Sequence, residues 1–180
     1  MKKVVKFGGS SLASAAQFQK VADIIHADPE RRYVVPSAPG KRFSGDTKVT
    51  DMLYSCYHLA EEGADFKKEL KAIAERYQEI IDGLSLSLSL ADEFKLIEKN
   101  FKEKTGENYA ASRGEYLNGI IIAAYLGYEF IDSAEVIRFK DNGEFDAEVT
   151  NEILSARLQD VEKAVVPGFY GAYADGRVKT

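Results

Sequence analysis

The chain opens on a short, nearly continuous apolar run. Within Met1–Phe7, Val4, Val5 and Phe7 read as a β-strand buried on both faces. From Ser14 to Ala27 the spacing becomes helical, with Phe18, Val21, Ala22 and Ile25 on one face, and Asp28-Pro29 ends the run. Arg32–Pro36 is a second strand centred on Tyr33, Val34 and Val35. A polar loop rich in Gly and Pro follows, Ser37 to Thr47. The next helix spans about 48–62, with Val49, Met52, Leu53, Cys56 and Leu59 as its apolar stripe.

Residues 65–104 are predicted helical in two pieces broken near Gly83. The alternating Leu84-Ser-Leu-Ser-Leu-Ser-Leu between them imitates a strand but reads as a connector. A long helix covers about 108–126, and Tyr128–Ile131 is a strand. Asp141-Asn142-Gly143 marks a hairpin between Val136–Phe139 and Glu144–Asp146. Thr150 caps a helix to about Leu158, and Lys163–Pro167 is the last strand.

Strands alternating with helices predict an α/β fold, a three-layer αβα sandwich around a mostly parallel sheet. Ligands of such sheets bind outside the carboxyl ends of the strands. Gly8–Ser10, Ser37–Thr47, Asp132 and Gly168–Gly171 fall at those ends.

Composition narrows the function classes. A net charge of −5, with both signs mixed along the chain, argues against nucleic-acid and anionic-membrane partners. No apolar run is long enough to span a membrane. The single cysteine, Cys56, rules out an internal disulfide framework, fits a cytoplasmic setting and reads as a small core residue. His26 and His58 have no ligand spacing, so no zinc-type metal site and no Ser-His-Asp triad is expected.

The candidate chemistry sits in two places. Lys6-Phe7-Gly8-Gly9-Ser10-Ser11 places a cation on a strand end, a tight glycine turn, and serines able to cap a following helix. Such an arrangement suits phosphate, although it is neither a Walker A loop nor Gly-x-Gly-x-x-Gly. Farther on, Ser112, Glu115, Asn118 and Gly119 share one face of the long helix. A carboxylate flanked by a hydroxyl, an amide and a glycine is a receptor for an ammonium group, or else a solvated face with small residues for close packing.

These motifs together resemble aspartate kinases of the amino acid kinase family. The matching pieces run in family order: Val5–Ser11, Val35-Pro-Ser37-Ala38, Thr47–Leu53, Ser112-Arg113-Gly114-Glu115, Ile131-Asp132 and Val166–Gly171. The resemblance covers essentially the whole chain, and its first and fourth pieces are the most specific. It implies that Lys6 stabilises the transferred phosphoryl group while Gly8, Gly9 and Ser10 donate backbone N–H groups to ATP phosphates. It implies that Ser37 and Thr50 hold L-aspartate, with Thr47 as the alternative to Thr50, and that Glu115 pairs with the α-ammonium. Phe169 would line the amino-acid pocket, and Asp132 would lie at the active-site edge of the sheet.

The reaction implied is ATP- and Mg²⁺-dependent phosphorylation of the aspartate β-carboxylate, the first step toward lysine, threonine and methionine. The β-carboxylate is already ionised at neutral pH, so no general base is required. The Gly-rich segment that in aspartate kinases carries an arginine for the substrate carboxylate is absent up to Thr180. The nucleotide lobe and ACT regulatory domains of the family are likewise expected to lie outside these 180 residues. The 180 residues are therefore expected to be the N-terminal, amino-acid-binding part of the kinase domain. Alone it is expected to bind ATP weakly and turn over slowly or not at all, with Arg113 or Lys41 and Arg42 as the remaining cations for the α-carboxylate. Homo-oligomerisation is left open. The alternatives are another phosphotransferase of the family, acting on glutamate, acetylglutamate, carbamate or a nucleotide, and a non-catalytic binding fragment.

Overall fold

A computed structural model describes residues 1–180. Strand β1 (Lys3–Phe7) leads through a single 3-10 turn (Gly9–Leu12) into helix α1 (Ala15–His26) and strand β2 (Arg31–Pro36). Four helices follow: α2 (Val49–Glu61), α3 (Lys67–Gly83), α4 (Ala91–Lys102) and α5 (Glu107–Leu126). The remainder is β3 (Glu129–Phe130), α6 (Ser133–Val136), α7 (Ala147–Leu158), β4 (Ala164–Val165) and a small ribbon, β5 (Gly171–Ala172) with β6 (Val178–Lys179). The main sheet is parallel throughout, in the order β1-β2-β4-β3. Its layers are unequal. Val5, Phe7, Val34 and Val165 join the large core formed by α1 to α5. On the other face Ala164, Tyr33 and Val166 pack against the smaller cluster of α6 and α7.

Alternation of side chains along a strand explains a departure from the sequence reading. β1 is an edge strand whose burial alternates, so it is not covered on both faces. Val5 and Phe7 point into the large core, while Val4 is 67% exposed and Lys6 is exposed on the opposite face. That face holds an apolar groove of about 320 Å³ lined by Val4, Tyr33, Val35, Val166, Leu158 and Phe169.

Local chemistry displaced other expectations. Ser10 and Ser11 lie inside the 3-10 turn, and the position before α1 belongs to Ser14, whose side chain makes no capping bond. Asp146, not Thr150, caps α7, its carboxylate accepting from the Val149 N–H at 3.2 Å. Thr150 instead accepts from the Arg138 N–H from within the helix. The Asp141-Asn142-Gly143 turn is present, but its hairpin reduces to one bridge, Phe139 to Phe145, because Val136 ends helix α6. The β5–β6 ribbon has too little apolar pattern to be read from the sequence.

Helix α5 is the central strut. It is buried along most of its length and packs on α2, α3, α4 and the sheet. Two glycines let it approach so closely: a Cβ on Gly114 would lie 2.8 Å from Ala38 Cβ, and one on Gly119 would lie 2.6 Å from Pro167 Cγ. Gly127, in the left-handed region at φ 67°, ends the helix. Cys56 is fully buried on α2, its thiol near the Phe66 carbonyl at 3.7 Å, and burial pushes its pKa up to about 12. His26 and His58 are exposed on helix flanks. No helix is long and apolar enough to cross a membrane.

Candidate functional site

The carboxyl ends of β1 and β2 lie side by side, with Lys6 opposite Val35 in register. The pairing continues one step past the strands, where the Ser37 N–H donates to Phe7 O at 3.0 Å. The two loops then touch backbone to backbone. Gly40 N–H donates to Gly9 O at 2.8 Å, and a Cβ on Gly9 would lie 2.8 Å from Ala38 O. Only glycine fits there, which accounts for Gly9 more directly than turn conformation does. The first N–H groups of a helical turn have no partner within it, so the 3-10 turn at Gly9 offers donors beside a lysine. Lys6 makes no ion pair with any carboxylate of the chain. A free cation and free N–H donors at a strand end fit a phosphate group.

From beneath, α5 clasps the same loop. Ala38 N–H donates to Glu115 Oε1 at 3.1 Å, and Asn118 Nδ2 donates to Ser37 O at 2.7 Å. Each clasp leaves one acceptor over: Glu115 Oε2 and Asn118 Oδ1 are buried with no hydrogen-bond partner. Burial pushes the Glu115 pKa up to about 7, only partly opposed by the Ala38 N–H. Desolvation without compensation makes each orphan expensive, at about 1–3 kcal/mol. Glu115 and Asn118 therefore share a face as the helical spacing predicts, and the glycine close to them is Gly114, which meets Ala38. Ser112 does not join them. Its hydroxyl donates to Tyr109 O at 2.7 Å and accepts from Arg113, so it makes no hydrogen bond to the carboxylate it was expected to flank.

The other expected residues fall at measurable places. Thr50 sits in the first turn of α2, its Oγ1 3.6 Å from where a Gly114 Cβ would stand, whereas Thr47 is exposed on the loop. The structure thus brings Lys6, Gly8, Gly9, Ser10, Ser37, Thr50 and Glu115 around one end of the sheet. Phe169 follows Gly168, whose N–H donates to Pro36 O at 3.1 Å, and it projects into the apolar groove. Its φ of 77° is left-handed, a strain of about 1–2 kcal/mol for a residue with a Cβ. Asp132 caps α6 and accepts from the Tyr170 hydroxyl at 2.7 Å. Arg113 stacks among Tyr109, Tyr116 and Tyr170, its guanidinium 4.3 Å from the Tyr116 centroid, and makes no ion pair. Arg42 is committed to Asp46 and Glu79.

Two residues near this site escaped the sequence reading. Arg76 on α3 is buried and bonds Asp46 at 2.6 Å, while Tyr77 donates its hydroxyl to Gly114 O at 2.8 Å. The available signal was a charge inside an apolar stripe, since Arg76 stands three residues after Ile73 and four before Ile80.

Comparison with known proteins gives a consistent answer. The model of the amino acid kinase family matches residues 1–179. Aspartokinase 3 of Bacillus subtilis is 40% identical over 197 aligned positions, covering 99% of this chain and 42% of that protein. The crystal structure of Clostridium acetobutylicum aspartate kinase superposes with a TM-score of 0.96 at 48% identity, covering 100% of this chain and 42% of that one. Escherichia coli aspartokinase III, solved with aspartate and ADP, shares the fold at a TM-score of 0.79 and 24% identity, with 100% of this chain and 43% of that one covered. The chain spans less than half the length of these relatives.

Proposed function

The chain belongs to the amino acid kinase family, and from that membership we propose that it is the amino-acid-binding part of an aspartate kinase domain. The reaction is transfer of the ATP γ-phosphoryl group to the β-carboxylate of L-aspartate, giving 4-phospho-L-aspartate on the route to lysine, threonine and methionine. The observation that carries this reading is the buried, unpartnered Oε2 of Glu115, with the Asn118 Oδ1 orphan one turn away. Acceptors without donors call for a donor-rich ligand, and an α-ammonium group brings three N–H bonds and the matching charge.

The family supplies the roles, and the positions of the residues support them. Glu115 holds the substrate ammonium, and Ser37 and Thr50 orient the rest of the amino acid beside the β1 and β2 ends. Lys6 faces the charge that builds on the phosphoryl oxygens, with the N–H groups of the Gly8–Ser10 turn beside it. The β-carboxylate attacks phosphorus, the bond to ADP breaks, and no proton need move. Mg²⁺ carried with the nucleotide would supply screening of the phosphate charge. Phe169 lines the neighbouring apolar groove.

Calorimetry with L-aspartate and Mg-ATP tests the reading. Aspartate should bind this chain, and Glu115→Ala should weaken that binding by at least tenfold. Succinate, which lacks the ammonium, should bind no better to the parent chain than to the variant. Lys6→Ala should weaken Mg-ATP and leave aspartate within about twofold. Aspartate affinity indifferent to Glu115→Ala would sink the proposal.

A further inference from the structure

Arg76 connects the two loops of the candidate site. Its side chain is 3% exposed, and its guanidinium reaches three acceptors in two separate stretches of chain. Nη1 donates to the Asp46 carboxylate at 2.6 Å, and Nη2 donates to Gly40 O at 2.8 Å and Ala13 O at 3.3 Å. Ala13 immediately follows the 3-10 turn, Gly40 lies in the Ser37–Thr47 loop, and Asp46 stands at that loop's far end, next to Thr47.

Gly40 is thereby held from both sides, its N–H on Gly9 O and its carbonyl on Arg76. There is no slack: a Cβ on Gly40 would fall 2.7 Å from the Gly9 carbonyl carbon. Asp46 is shared, because Arg42 grips it through backbone and side chain, and Arg42 first and Arg76 after it hold its carboxyl well below the usual range. Only a planar fork serves these acceptors together; a lysine would reach one at a time. The arrangement is also costly, since Nε is buried with no acceptor. For stability alone an apolar side chain of this size would do as well.

We propose that Arg76 is a positioning residue that sets the spacing between the Gly8–Ser10 turn and the Ser37–Thr47 loop, so that filling one alters affinity at the other. Which ligands do the filling rests on the aspartate kinase reading; the mechanical link does not.

The test uses the 180-residue chain with Arg76→Met and Arg76→Lys. Amide exchange comes first. In Arg76→Met the Gly40 N–H should exchange at least tenfold faster while amides of β2, β4 and α5 stay within about twofold, and Arg76→Lys should fall between. Calorimetry comes second. A non-hydrolysable ATP analogue should change aspartate affinity in the parent chain, and that coupling should shrink toward unity in Arg76→Met. Unchanged Gly40 exchange, or equal loosening of the whole chain, would overturn the proposal. If Arg76→Met does not fold, Asp46→Asn takes its place, with faster Gly40 exchange supporting the link and unchanged exchange refuting it. A parent chain that binds neither ligand would refute the aspartate kinase reading and the affinity coupling with it, while the exchange result still judges the link through Arg76.

Discussion

At the scale of the residue, Glu115 sets function against stability. Its pKa near 7 lies well above the ordinary value of 4.5, so in the ligand-free fold its proton is held more tightly than in the unfolded chain. Stability from this group is therefore complete below the unfolded pKa and lost as pH rises toward 7, to the extent of about 3 kcal/mol. On the proposed reading, a substrate ammonium would reverse the preference by favouring the carboxylate. Aspartate affinity is expected to fall about tenfold per pH unit below 7, with proton release visible as a buffer-dependent heat. Glu115→Gln should remove that pH dependence and bind aspartate more weakly. It should also raise the denaturation midpoint at pH 8, because Oε1 can still accept from Ala38 and no buried charge remains. A midpoint unchanged or lowered at pH 8 would mean that Glu115 is not strained in the free protein. The candidacy of Glu115 was legible from the helix face it shares with Ser112, Asn118 and Gly119. Its lack of a partner was not, because helical spacing does not reveal whether Ser112 turns outward or back onto its own helix.

Among the elements, the glycine contact between two loops decides how the Gly8–Ser10 turn is built. Gly40→Ala would push a methyl group against the Gly9 backbone at 2.7 Å, where no side chain can yield. A loss of about 1–3 kcal/mol in denaturant unfolding is expected, as for overpacking. Gly45→Ala in the same loop meets only the Phe43 ring at 3.7 Å and should change stability by less than about 0.5 kcal/mol. Equal effects would show that the loop's composition, not this contact, matters. The long helices were readable because their apolar stripes run three turns or more, as in α1 and α2. Elements set by two or three backbone bonds were not: α6, the β5–β6 ribbon and the 3-10 turn leave almost no periodicity. The burial of β1 was misjudged because a run of Val and Phe looks the same on an edge strand as at a sheet centre. Only the strand order separates the two, and order arises from contacts distant in sequence.

For the molecule as a whole, the two faces of the sheet differ in depth. One carries a core of five helices, and the other a small cluster and an open apolar groove beside Val4 and Phe169. Cys56 lies in the deeper of the two, with no exposed surface and a thiol hard to ionise. Thiolate is the reactive form, so alkylating reagents must wait for the core around α2 to open. The protein thus carries a built-in clock: its rate of labelling at excess reagent counts openings of the core, with no dye or tag attached. Because the same helix bears Thr50 at its first turn, a bound amino acid should slow that clock, and the slowing would measure, in time, what calorimetry measures in heat.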